Sequence, residues 1–110
     1  MLFRSLTAVR FPIPERAAYA KFPHPASKYA LVGVMVAKTG GGVRVAVTGA
    51  GTSVFRVPAW EAALAASFSA DAVAAGAVAA DDLRSDGDAS AGYRAHLVAV
   101  MARRAVRACL

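Results

Sequence analysis

Two valine-rich runs separated by three consecutive glycines restrict the fold of this chain more than any other feature. The runs are "YALVGVMVAK" (29–38) and "VRVAVTGA" (43–50), and Gly40-Gly41-Gly42 lies between them. Short β-branched stretches bounded by glycine read as strands, and a glycine turn between them joins an antiparallel hairpin. The first run is almost continuously apolar, which predicts a central strand covered on both faces. In the second, Val43, Val45 and Val47 alternate and share one face. Upstream, "LFRSLTAVRF" (2–11) sets Leu2, Ser5 and Thr7 among alternating larger residues and reads as a further strand. "PIPER" then breaks it, because proline fixes φ and has no N–H to donate. Ala18 to Phe22 reads as a short extended piece, followed by a loop at "PHPAS". The first half predicts a β-meander.

The second half changes character. Pro58 suits the first turn of a helix, and "PAWEAALAA" places Ala59, Ala63 and Leu64 at helical spacing. Ser69 is an N-cap candidate for a helix over "ADAVAAGAVAA", with Asp71 near its positive end. "DDLRSDGD" reads as a polar loop. From Ser90 a last helix runs nearly to the end, with Tyr93, Leu97, Val100 or Met101, and Ala108 along one stripe. Arg103, Arg104 and Arg107 crowd its last turns, where positive charge complements the carbonyl end. Strands first and helices after predict an α+β fold, and 110 residues suffice for one domain.

Composition narrows the function classes. The formal net charge of +6 favours an anionic partner. The absence of aromatic residues interleaved with the arginines argues against nucleic acid as that partner. One cysteine, Cys109, cannot make an internal disulfide, which fits a reducing, cytoplasmic setting. His24 and His96 are far apart and bring no ligand set for structural zinc. No window approaches the ~20 apolar residues of a membrane span, and the alternating N-terminal segment is unlike a signal peptide. "GGGVRVAVTGAG" lacks the third glycine of a dinucleotide fingerprint, so Gly49 and Gly51 read as turn glycines. His96 reads as structural and Trp60 as a core or interface anchor. Nothing assembles a nucleophile, base and oxyanion site, so the domain alone is expected to be inactive. One reading of these residues is a free-standing basic interaction module that binds an anionic partner through Arg94, Arg103, Arg104 and Arg107.

A second reading starts from "AYAKFPHPASKYALVGVMVA" (18–37), which sets Tyr19, Lys21 and His24 around Pro23 and Pro25, ahead of the apolar run. With "VRVAVTGAG", "VFRVPAWEAAL" and "SDGDASAGYRAHLVAVMARRAV" it forms an ordered series. The series resembles the C-terminal domain of the FAD-binding (medium) subunit of the molybdenum hydroxylase family, on the carbon monoxide dehydrogenase side of it. The resemblance covers essentially all of residues 1–110. It implies an antiparallel sheet of three or four strands packed on a small helical bundle. It also implies an oxidoreductase complex in which electrons pass from molybdopterin on a large subunit, through iron–sulfur clusters on a small subunit, to FAD. The family's two preceding FAD-binding domains are absent from this sequence, so FAD is not expected on this chain alone. Tyr19 and Lys21 match the family's Tyr-x-Lys-Phe stretch beside the isoalloxazine, which makes them the expected cofactor-binding residues, presented on a loop lip that the prolines stiffen. Lys28 stands where relatives often carry an acid or arginine, and Gly87-Asp88 and Gly92 stand where histidine and glutamate are common.

Overall fold

Valine alternation sets the sheet. In a computed structural model that describes residues 4–74, 78–87 and 89–110, four antiparallel strands lie in the order β1 (Arg16–Pro23), β2 (Ala30–Thr39), β3 (Gly42–Thr48) and β4 (Phe55–Arg56). Two α-helices follow, α1 (Pro58–Ala66) and α2 (Ala91–Cys109), with single 3-10 turns at Ala70–Ala72 and Ala80–Asp82 between them. The architecture is α+β, as expected. At the β2–β3 turn Thr39 pairs with Gly42. The Thr39 hydroxyl accepts the Gly41 amide and donates to the Gly42 carbonyl.

Side-chain period two puts Val32, Val34, Val36, Val43, Val45 and Val47 on one face of the sheet, all buried. Both helices pack on that face, α1 against β3 and α2 against β1 and β2. Trp60 and Leu64 come from α1; Leu97, Val98, Met101, Ala102, Ala105 and Val106 come from α2. Each fully buried valine, leucine or methionine side chain among them contributes roughly 1.5–3 kcal/mol. Trp60 is a core anchor, and its indole N–H donates to the Ala74 carbonyl at 3.0 Å.

Several expectations are corrected. β2 is not covered on both faces: Gly33, Met35 and Ala37 form its other side, and Met35 is exposed. The run looked continuous because its outward residues are also apolar. No strand forms over residues 4–11, where every residue is exposed and irregular; residues 1–3 lie outside the described residues. The extended piece at Ala18–Phe22 is instead the core of β1. Over 70–80 there is one 3-10 turn and the start of another, with 75–77 outside the described residues. Ser69 accordingly makes no capping bond. Ser90 does cap α2, its hydroxyl accepting the Tyr93 amide. The buried stripe of α2 runs through Arg94, Leu97, Val98, Met101, Ala102, Ala105 and Val106, while Tyr93, His96 and Ala108 are exposed. A charged residue at a core position shifted the apparent phase.

Glu61 completes the edge of the sheet. β4 is two residues long, so Val45 has no β4 residue to take its amide; a Glu61 carboxylate oxygen accepts it at 2.9 Å. The same carboxylate accepts Arg56 Nε at 2.9 Å and Nη2 at 2.6 Å. The Arg56 guanidinium holds the Glu61 carboxyl below its ordinary range, against burial, which pushes the other way; the Val45 amide assists. A carboxyl held low in the folded state stabilises it above the ordinary carboxylate pKa, and that contribution is lost as pH falls through the lowered value. Glu61→Gln should therefore destabilise the chain by roughly 1–3 kcal/mol at neutral pH. The gap to wild type should close in acid. Urea unfolding across pH checks this, and a pH-independent gap would contradict it.

Candidate functional site

The face of the sheet opposite the helices carries the residues that the sequence singles out. Residues 17, 19 and 21 of β1 point outward, as do 33, 35 and 37 of β2 and 44, 46 and 48 of β3. Tyr19, Met35, Ala46 and Arg56 lie in one row across the four strands. Tyr19 does not stand on a proline-bent loop, as the sequence suggested. It sits in the middle of β1, half exposed.

Gly33 determines what the Tyr19 ring does. A Cβ built on Gly33 would lie 2.1 Å from the Tyr19 hydroxyl oxygen and 2.7 Å from the ring carbon that bears it. The hydroxyl continues past Gly33 and pairs with Thr48 Oγ1 on β3 at 3.2 Å. Starting on β1, passing over β2 and reaching β3, the ring has to lie along the sheet, because neighbouring strands are ~4.8 Å apart. The hydroxyl end of the ring lies over Gly33, and the side chain as a whole stays half exposed.

Lys21 stands one outward position along β1, opposite Gly33. Its ammonium donates to the Lys28 carbonyl at 3.0 Å. Lys28 adopts φ of 69°, the left-handed region that non-glycine residues rarely occupy, and its amide donates to the His24 carbonyl. His24 serves this β1–β2 loop as well. Its Nδ1 accepts the Ala26 and Ser27 amides, and its ring stacks on Tyr29 at 6.0 Å. Of the three residues first singled out, the loop holds His24, whereas Tyr19 and Lys21 share the open face.

The remaining candidates separate cleanly. Arg94, one of the four arginines assigned to an anion-binding module, is buried and bonded internally. Arg103 Nε donates to the Val73 carbonyl, which leaves Arg104 and Arg107 exposed. The module reading thus loses two of its four cations to the fold. Burial pushes the Cys109 thiol pKa up, so it is a poor nucleophile. Among the described residues no group of three or more His, Cys, Asp or Glu is placed to hold a metal, and no helix is long and apolar enough to cross a membrane. A separate cleft of about 440 Å³ lies between Thr52, Ser53, Phe55, Pro58, Val78 and Asp82, away from Tyr19 and Lys21. Sequence reasoning missed Gly33 and Thr48, because their role depends on which residue of β1 faces them.

Gly33→Ala should test the platform. The new methyl cannot coexist with the Tyr19 hydroxyl, and a side chain yields more easily than two paired strands. The variant should fold, lose the Tyr19–Thr48 hydrogen bond and swing the ring off β2. A crystal structure of the variant checks this; a ring still lying over residue 33, with the strands displaced, would contradict it.

Comparison with protein-family models and with curated proteins finds no match. Solved structures do match. Carbon monoxide dehydrogenase from Hydrogenophaga pseudoflava, in a form lacking the Mo-pyranopterin moiety of its molybdenum cofactor, aligns over 90% of this chain at 30% identity, TM-score 0.68. Cu,Mo-CO dehydrogenase in a cyanide-inactivated form aligns over 89% at 25% identity, TM-score 0.65. Reconstituted CO dehydrogenase from Oligotropha carboxidovorans aligns over 86% at 23% identity, TM-score 0.61, a likeness of fold alone. The alignments span only 36%, 38% and 37% of the Oligotropha, Hydrogenophaga and cyanide-inactivated chains. With this fold and these neighbours, the chain is consistent with a domain of the molybdenum hydroxylase family, of the carbon monoxide dehydrogenase type.

Proposed function

We propose that residues 1–110 act as the C-terminal domain of an FAD-binding subunit in a molybdenum hydroxylase complex, with the outward face of the sheet forming one wall beside the isoalloxazine. The observation that carries this reading is the Tyr19 side chain, which runs along the sheet over Gly33 to Thr48 and stays half exposed. The missing Cβ at Gly33 is a cradle for that ring, and a flat aromatic surface fits a planar heterocycle. Bound there, FAD would supply the acceptor for electrons that iron–sulfur and molybdopterin subunits deliver. Tyr19 would cover the ring and exclude water from one side. Lys21, its ammonium fixed by the Lys28 carbonyl, would place positive charge at the rim and favour negative charge nearby. The iron–sulfur and molybdopterin subunits are the proposed partners, and the cytoplasm is the proposed setting.

These residues fit the ring end of FAD and no more of it. Pyrophosphate needs backbone amides from glycine-rich turns at a helix start, and the glycines here serve the hairpin and the exit from β3. A single aromatic contact contributes ~1 kcal/mol, well short of the several kcal/mol lost on immobilising a free ligand. The purified chain should therefore be colourless and show no micromolar FAD binding by titration. In the intact subunit, Tyr19→Ala should change the flavin absorbance spectrum and its rate of reduction while leaving the subunit folded, with only the small fall in unfolding midpoint that a lost cross-strand contact brings. Unaltered spectrum and kinetics would remove Tyr19 from the flavin, and a yellow isolated chain would overturn the role of wall.

A further inference from the structure

The cleft away from the Tyr19 face holds polar groups that the fold leaves unspent. It measures about 440 Å³ and lies where β4, the start of α1 and the second 3-10 turn come together, a size usual for ligand pockets. Phe55, Val57 and Val78 give it apolar walls; Arg56, Ala59 and Asp82 also line it. We infer that this cleft binds a short extended segment of a partner protein, carrying one basic and one large apolar side chain two positions apart.

The backbone around the cleft is open for pairing. The Val57 amide donates to the Val45 carbonyl, so Val57 faces into the sheet. By alternation Arg56, paired with Ala46, turns its own N–H and C=O to the free edge of β4. The Arg56 guanidinium is held by Glu61, which does not line the cleft. What Arg56 offers there is main chain. In the first turn of α1, the Trp60 and Glu61 amides both donate to the Val57 carbonyl, and Pro58 has no N–H. The Ala59 amide is left without an acceptor among the described residues.

The charge is open as well. Asp82 is exposed, next to Asp81 in the same 3-10 turn. Its carboxylate has no ion pair among the described residues, and the cations nearest in sequence or lining the cleft are engaged elsewhere: Arg84 with Asp86 and Arg56 with Glu61. A chain of net charge +6 thus keeps an unpaired negative group at this one cleft, which selects a cation from outside.

Together these groups specify a strand. A residue presenting both N–H and C=O at a sheet edge takes one residue of an incoming strand through two hydrogen bonds. The side chain of that residue shares the face of Arg56, while the side chains before and after it turn to the helix side. Phe55 and Val78 lie on that side, packed against the core, and can cover one of the two. The other, if basic, meets Asp82. The Ala59 amide remains for a further carbonyl of the same segment. A simple amine would leave the Arg56 and Ala59 backbone groups unpaired.

The test titrates the full chain with the peptides acetyl-Arg-Ala-Leu-amide and acetyl-Leu-Ala-Arg-amide, which cover both strand directions, and follows backbone amides by NMR. At least one peptide should shift the Arg56 and Ala59 amides saturably at millimolar concentration, and the analogue with Glu for Arg should not. Asp82→Asn should keep the wild-type unfolding midpoint, because its carboxylate bonds to nothing in the fold, and should weaken binding at least tenfold. Asp82→Lys should exchange the preference, taking the Glu peptide over the Arg peptide. Absence of saturable shifts, an equal response to the Glu peptide, or a preference untouched by Asp82→Lys would each overturn the inference. Shifts of the same amides on raising chain concentration without peptide would assign the cleft to a second copy and overturn it too. The Tyr19 face takes no part, so the flavin reading stands or falls separately.

Discussion

A buried guanidinium holds the two layers of this domain together. Arg94 rises from the first turns of α2 into the end of the sheet, where it donates to the Leu31 carbonyl at 2.7 Å and the Gly49 carbonyl at 3.2 Å. Its other terminal nitrogen donates to both carboxylate oxygens of Asp86, at 3.0 and 3.1 Å. Leu31 lies near the start of β2 and Gly49 just past the end of β3, so one side chain fixes neighbouring strand ends, a loop and a helix. Gly49 has φ of 77°, and a Cβ there would lie 2.6 Å from the Ala30 carbonyl oxygen. That close approach brings its own carbonyl within reach of Arg94. Arg94 is buried while Asp86 is exposed, so taking away a partner of the guanidinium costs about 1–3 kcal/mol, an appreciable share of the 5–15 kcal/mol typical of a whole domain. Arg94 Nε has no partner among the described residues, which adds to the desolvation cost that the other bonds must offset.

The same end of the sheet serves the other face. Gly33 and Thr48, which carry the Tyr19 ring, pair directly across β2 and β3, two residues from Leu31 and one from Gly49. Arg94 fixes these strand ends from the helix side, and Tyr19 lies over them from the outside. Glu61 does comparable work at the opposite edge, taking the Val45 amide where β4 has run out. Both charged groups replace backbone pairing that short strands cannot provide.

Much of this was legible in the sequence, for definite reasons. β-branched alternation and a glycine turn announce a hairpin, so the register of Val43, Val45 and Val47 was read correctly. Ser90 stands before a long helix and caps it. Other features depend on contacts distant in the chain. Nothing local says that Arg94 is buried, because its partners are 8, 45 and 63 residues away. The alanine-rich stretch after Ser69 has helical propensity, but its described residues form only single 3-10 turns as the chain crosses between α1 and α2. Tyr19 was picked out by resemblance, on the assumption of a loop; its strand position follows from pairing with β2. Residues 4–11 show the opposite case, a strand signal with no strand formed.

The central claim is that the outward face of the sheet, with Tyr19 at its centre, lies against a flavin. The most direct measurement is a structure of the intact, FAD-loaded subunit, read for the separation between the Tyr19 ring and the isoalloxazine. The account predicts heavy atoms of the two rings within about 4 Å, with Tyr19 still lying across Gly33. A Tyr19 ring turned to solvent or buried against another protein chain, with the flavin elsewhere, would contradict it.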